Sequence, residues 1–174
     1  SDGHGDPADV IRLHKENNYD FMAITDHRRY NRINYAEDVE MTIIPGMEFD
    51  NTFVREDGFR CFHTVCIGPN DETNGFAHEE RVESGKANDQ FEYQPYLDWI
   101  HENGNMTIYC HPEWSATPAR YFSRLRGNFA MEIWNSGCAI NMDMDNDAAY
   151  WDEILGQGIR LWGVATDDGH SMNH

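Results

Sequence analysis

Lysine is nearly missing. Lys15 and Lys86 are the two in 174 residues, and Lys plus Arg reach 13 against 31 Asp plus Glu, a formal net charge of −18. A surface so short of cations repels phosphate backbones and anionic lipid over most of its area, so no stable nucleic-acid partner is expected. Most of the surplus carboxylates read as a solvated acidic surface, and only a few are needed to hold cations. Long apolar runs are missing too: none approaches the roughly 20 residues that span a bilayer, and no membrane partner is expected. The four cysteines, Cys61, Cys66, Cys110 and Cys138, have neither CxxC spacing nor the density of a disulfide scaffold. They read as reduced, mostly buried thiols, with Cys66 and Cys110 inside strands. The sequence starts at Ser1 without Met and shows no signal-like apolar segment, from which we expect a cut start and a cytoplasmic setting.

What is present is a repeated pattern. Phe21 to Thr25 runs apolar, small and β-branched, then turns abruptly into Asp26 and His27. IIPGMEFD carries an apolar run to Glu48, MTIYCHPEW to His111, MEIWNSG through Glu132 to Asn135, and LWGVATDDGH to Asp167, Asp168 and His170. Five apolar segments thus finish in residues that bind metals. A parallel α/β barrel puts such groups at the C-terminal ends of its strands, where one site collects them.

The 40% hydrophobic and 13% aromatic content suits a single globular domain over 1–174. Asp6-Pro7 predicts a helix start, ended near Asn17-Asn18 and followed by a strand over 19–25. Residues 28–40 predict a loop with a short helix, 42–47 a strand stopped near Pro45-Gly46 with Glu48 just beyond, and 59–68 a strand around His63. Residues 70–90, rich in Asn, Asp, Glu and Gly, predict a long excursion or lid. Helices are predicted over 93–103, with Gly104 as the stop, over 118–125, and over 147–155, and strands over 106–110, 130–134 and 160–166. Alternating strands and helices imply a parallel sheet, barrel or open.

The ligand-type residues gather as Asp2, His27, Glu48, His63, His111, Asp168 and His170. Imidazole nitrogen mixed with carboxylate oxygen suits zinc, manganese or iron better than calcium. His14, His78, His101 and His174 read as surface or hydrogen-bonded histidines, and His4 stays open. In order along the chain, SDG at Ser1 to Gly3, ITDH at Ile24 to His27, PGME at Pro45 to Glu48, FHTVCIG around His63, HPEW at His111 and DDGH at Asp167 to His170 resemble the motifs of the PHP (polymerase and histidinol phosphatase) superfamily. Within it the chain looks most like the stand-alone metal-dependent phosphoesterases. That resemblance implies a distorted (βα)7 TIM-like barrel and two or three divalent cations. One would be held by Asp2, His27 and His170 and another by Glu48, His63 and His111. A third, sharing Glu48 and Asp168, would also need an HxH pair that this sequence does not contain. The barrel is therefore expected to be incomplete at its first strand and at its C-terminus, as in a fragment of a longer domain.

The chemistry this implies is metal-assisted hydrolysis of a small phosphate ester. Glu48 would bridge two cations, Asp168 or His170 would orient water or protonate the leaving oxygen, and Arg28 and Arg29 would meet the phosphate. Arg28 and Arg29 read equally well as a solvated loop pair. With the HxH pair lacking, an impaired or inactive metal-binding module is the alternative. An amidohydrolase is a weaker third reading, because that barrel family normally carries a metal-bridging Lys at a strand end, whereas Lys15 falls in a helix and Lys86 in a polar loop.

Overall fold

The computed structural model describes residues 2–55, 58–83 and 90–171. Helix α1 (Pro7–Glu16) begins where the sequence predicts. The Asp6 side chain accepts the Ala8 N–H at 2.9 Å, and Pro7 occupies the first helical position, where no donor is needed. Its buried Ile11 packs with Ala36 and Met41 in a small cluster of its own. Asp6→Ala is expected to lower stability by about 1 kcal/mol, read as a shifted urea midpoint at unchanged slope.

The strand predicted over 19–25 contracts to β1 (Phe21–Met22), which pairs in parallel with β2 (Thr42–Ile43). Beyond it the chain stays tied to its neighbour at single points, His27 to Glu48 in the parallel sense and Asn31 to Gly46 in the antiparallel sense. No helix forms over 28–40. Asn31 Oδ1 accepts the Ile33 N–H and Asn34 Oδ1 accepts the Ala36 N–H, and such local side-chain bonds divert the backbone from helical pairing.

The main sheet contains β3 (Gly46–Arg55), β4 (Gly58–Ile67), β5 (Met106–Tyr109), β6 (Ala130–Asn135) and β7 (Trp162–Thr166) in sequential order. The first two pairings are antiparallel and the last two parallel, and the sheet does not close. This corrects the expectation of a wholly parallel sheet. It also moves Glu48 from just past a strand end into the first half of β3.

Alternation along the β3–β4 hairpin separates core from site. Met47, Phe49, Phe62 and Cys66 enter the main core, whereas Glu48, Asp50, Cys61 and His63 fall on the alternate positions. Helix α2 (Gln90–Glu102) covers the core face, with Tyr93 stacked on Phe49 and Phe62 at 5.8 and 5.1 Å between ring centroids. Gly104, at φ +77, ends that region as predicted. The predicted helix over 118–125 is the single turn α4 (Ala119–Phe122), preceded by α3 (Pro112–Ser115). A helix not foreseen, α5 (Ser136–Met142), follows β6 directly, and α6 (Asp147–Gly156) packs against β6.

Residues 70–83 are held down. Arg32 donates to the Asp71 and Phe76 carbonyls at 2.9 Å each, and Asn74 donates to the buried Tyr30 hydroxyl at 2.8 Å. The remainder of the predicted excursion, with Lys86, and His174 lie outside the described residues. All four cysteines are buried and free. Among the described residues no helix is long and apolar enough to cross a membrane.

Candidate metal centre

Six elements deliver the predicted residues to one place. Asp2 precedes α1, His27 and Arg28 follow β1, Glu48 lies on β3 and His63 on β4, His111 follows β5, and Asp168 and His170 follow β7. Among the described residues two sets of three bring their ligand atoms within 4.8 Å of one another: Asp2, His27 and His170, and His27, Glu48 and His63. His27 belongs to both, so the two sets are continuous. His111 joins through Glu48, its Nε2 standing 3.5 Å from Glu48 Oε1. Asp168 enters neither set; it accepts from Asn135 Nδ2 at 3.0 Å and stands 3.7 Å from His170 Nδ1.

The separations distinguish two kinds of contact. His63 Nδ1 to Glu48 Oε1, at 2.8 Å, is a hydrogen bond. Asp2 Oδ1 stands 3.5 Å from His27 Nε2 and 3.4 Å from His170 Nε2, too long for good hydrogen bonds. Ligand atoms about 2.1 Å from a tetrahedral ion lie about 3.4 Å from one another, so Asp2 Oδ1 stands from each of the two imidazole nitrogens as a neighbouring ligand would. His170 is oriented for that role, because its Nδ1 donates to the Asp168 carbonyl at 2.8 Å and leaves the Nε2 lone pair toward Asp2. The residues present therefore fit a divalent cation.

Around them the backbone is strained. Arg28, His111 and Asp168 have φ of +55, +30 and +49, a region costly for non-glycine residues and concentrated at functional sites. His111 is fixed on three sides: its backbone N–H donates to Glu132 Oε2 at 2.6 Å, its ring pairs with the Ser115 hydroxyl at 3.2 Å, and the Trp114 ring lies edge-on at 4.9 Å. Glu132, 2% exposed, also accepts from Asn135 Nδ2 and Thr166 Oγ1.

Of the two arginines assigned to phosphate, Arg28 lies at the cluster, its Nε 3.0 Å from Asp50 Oδ1, while Arg29 pairs with Glu79 at 3.0 Å. The other histidines are engaged as read: His14 with the Val10 carbonyl and Asp167, His78 with the Arg32 N–H, and His101 with the Thr107 hydroxyl. Asp50 and Trp114 were missed as members of this site, and Glu132, seen in the sequence as a ligand-type residue, instead holds the His111 backbone. Asp50 had a signal, since it lies two residues beyond Glu48 and shares its face once Glu48 is placed within a strand.

Burial opposes charge on both Glu48 and His63, and their partners overcome it. Contacts with His111 and His63 hold the Glu48 carboxyl well below the usual carboxylate range, and the Cys61 thiol and Glu48 raise His63 to about 10. A depressed carboxylate adds stability that is full above its unfolded value of about 4.3 and lost as pH falls. A raised imidazole adds stability that is full below about 6.5 and lost as pH rises toward its folded value. In the presence of EDTA, the stability advantage of the wild type over Glu48→Gln is expected to peak between about pH 4.3 and 6.5. Urea midpoints taken across the pH range check this, and an advantage that keeps growing on acidification contradicts it.

No protein-family model matches the sequence, and no curated protein matches it. Solved structures share its fold. An amidohydrolase from Chromobacterium violaceum, solved with bound sulfate and no metal, has a TM-score of 0.63 at 18% identity, over 99% of this chain and 85% of its own. A proposed metal-dependent phosphoesterase from Bifidobacterium adolescentis has a TM-score of 0.59 at 13% identity, over 97% and 84%. The chain shares the fold of these two proteins. The imidazole and carboxylate cluster described above occupies one place on that fold.

Proposed function

We propose that this chain is a metal-dependent phosphoesterase of the PHP type, hydrolysing a small phosphate ester at a multinuclear centre held by Asp2, His27, Glu48, His63, His111, Asp168 and His170. The observation that carries this reading is the spacing of Asp2 Oδ1 from two imidazole nitrogens, 3.4 and 3.5 Å, with Glu48 Oε1 set 3.5 Å from a third. On this reading the two sheets are arcs of a distorted (βα)7 barrel.

Divalent cations bound there supply Lewis acidity and neutralise charge on the phosphoryl oxygens. The protein's own groups divide the remaining work. Glu48, buried and flanked by His63 and His111, fixes negative charge where cations are needed. His170 has its Nδ1 proton committed to the Asp168 carbonyl, so its free Nε2 serves as a ligand and the Asp168 carboxylate is left to orient water or carry a proton. Arg28 keeps a partly exposed guanidinium beside the cluster and meets the phosphate, and with a net charge of −18 a small anion is drawn in only where cations invert the local field. Two resemblances favour phosphate. One fold neighbour is itself a proposed phosphoesterase, and the other binds sulfate, a tetrahedral oxyanion.

The test is hydrolysis of an aryl phosphate, mononucleotides and sugar phosphates by the purified chain in manganese or zinc, with metal content measured in parallel. Metal retained and turnover abolished by EDTA is the expected result. Metal retained without turnover across the whole panel would leave a binding module instead.

A further inference from the structure

We infer that Asp50 is a positioning residue that fixes the ring orientation and tautomer of His27 and anchors Arg28 beside it. The inference rests on the metal-dependent reading above. Asp50 is on β3, two residues beyond Glu48, opposite His63 in the β3–β4 register. Its side chain is 21% exposed, and its Oδ1 lies 3.2 Å from His27 Nδ1 and 3.0 Å from Arg28 Nε. All three atoms are buried and none has a hydrogen-bond partner; they stand within ion-pair distance but off the line of a good hydrogen bond.

The consequence follows from donor counting. A neutral imidazole has one N–H and one lone pair, and an ionised carboxylate only accepts. Asp50 facing Nδ1 therefore places the proton on Nδ1 and the lone pair on Nε2, the atom 3.5 Å from Asp2 Oδ1. His170 reaches the same state by another route, with the Asp168 backbone carbonyl as its acceptor. The two histidines on either side of Asp2 are thus both presented through Nε2. His27 differs in having a charged acceptor, the kind of outer partner that strengthens an imidazole as a ligand. Arg28 on the same carboxylate oxygen offsets the charge that Asp50 brings into a crowded anionic site. That pair also explains why Arg28 follows His27 directly, on a left-handed backbone turn.

An ordinary ion pair between Asp50 and Arg28 would make no demand on the His27 tautomer, and this separates the two roles. The ring nitrogens of His27 are read by long-range proton–nitrogen correlation NMR on the zinc-free full chain, in alkaline buffer where the ring is neutral. The expected wild-type signature is the Nδ1–H form. Asp50→Asn, whose amide can donate to the ring, is expected to shift His27 toward the Nε2–H form and to weaken zinc binding by about 10- to 100-fold in calorimetric titration. Asp50→Glu is expected to restore most of that affinity. A wild-type ring protonated on Nε2, or an Asp50→Asn variant binding zinc within about twofold of wild type, overturns the inference. A wild-type chain that binds no zinc but shows the Nδ1–H ring defeats the phosphoesterase reading while leaving the positioning role of Asp50 standing.

Discussion

Replacing Glu48 with glutamine is expected to lower kcat/KM for an aryl phosphate in saturating manganese by about 10³-fold, about 4 kcal/mol of transition-state stabilisation. The residue is 7% exposed, and one oxygen serves both imidazoles, 2.8 Å from His63 Nδ1 and 3.5 Å from His111 Nε2. Glutamine fills the same volume, so the core behind β3 is undisturbed and the fold survives. What it removes is the charge. In a buried site a carboxylate that holds a cation is not replaced by a neutral amide, whose nitrogen end also meets donors rather than acceptors. Metal content at equal free manganese is expected to fall alongside the rate. A variant that keeps its metal and works within about tenfold of wild type would remove Glu48 from the centre of the mechanism.

The parts of this molecule legible in the sequence are those governed by local pattern. Helix α1 announced itself by Asp6-Pro7, α2 by its apolar positions and Gly104, and β5, β6 and β7 by short apolar runs that stop at polar residues. His111 was found because a strand ending in His-Pro leaves the ring at the strand's end. The expectation of a wholly parallel sheet failed at β3 and β4. Pro45-Gly46 looks like a stop, yet Gly46 starts a ten-residue strand, and Asp57-Gly58, a hairpin signal between two β-rich runs, was passed over. Direction of pairing is a tertiary property that no single run declares. The same error hid Asp50, because a loop residue has no face and a strand residue does.

Glu132 was noticed in the sequence as one more ligand-type residue after an apolar run, and the structure gives it a different task. It lies mid-strand on β6 and accepts three hydrogen bonds, from the His111 N–H at 2.6 Å, Thr166 Oγ1 at 2.7 Å and Asn135 Nδ2 at 2.9 Å. It thereby ties the ends of β5, β6 and β7 together beneath the cluster. Burial raises its pKa, so the carboxylate is held at a cost that these donors only partly offset. Glu132→Ala removes that cost but strands the donors. Asn135 keeps Asp168 as an acceptor and the Thr166 hydroxyl can rotate, whereas the His111 N–H is fixed on a left-handed turn and buried. An orphaned buried donor costs about 1–3 kcal/mol and loss of one member of a buried charged network about 3–5, so the expected loss is roughly 2–4 kcal/mol. For a chain this long that is a fall in melting temperature of about 5–15 °C. Because His111 is the group released, manganese affinity is expected to fall as well, while the Asp6→Ala variant, which loses only a cap on α1, loses stability at unchanged affinity. Thermal unfolding in EDTA and metal titration of both variants separate the two effects, and a Glu132→Ala protein destabilised by less than about 1 kcal/mol would mean that His111 is held by its ring contacts with Ser115 and Trp114 rather than by its backbone.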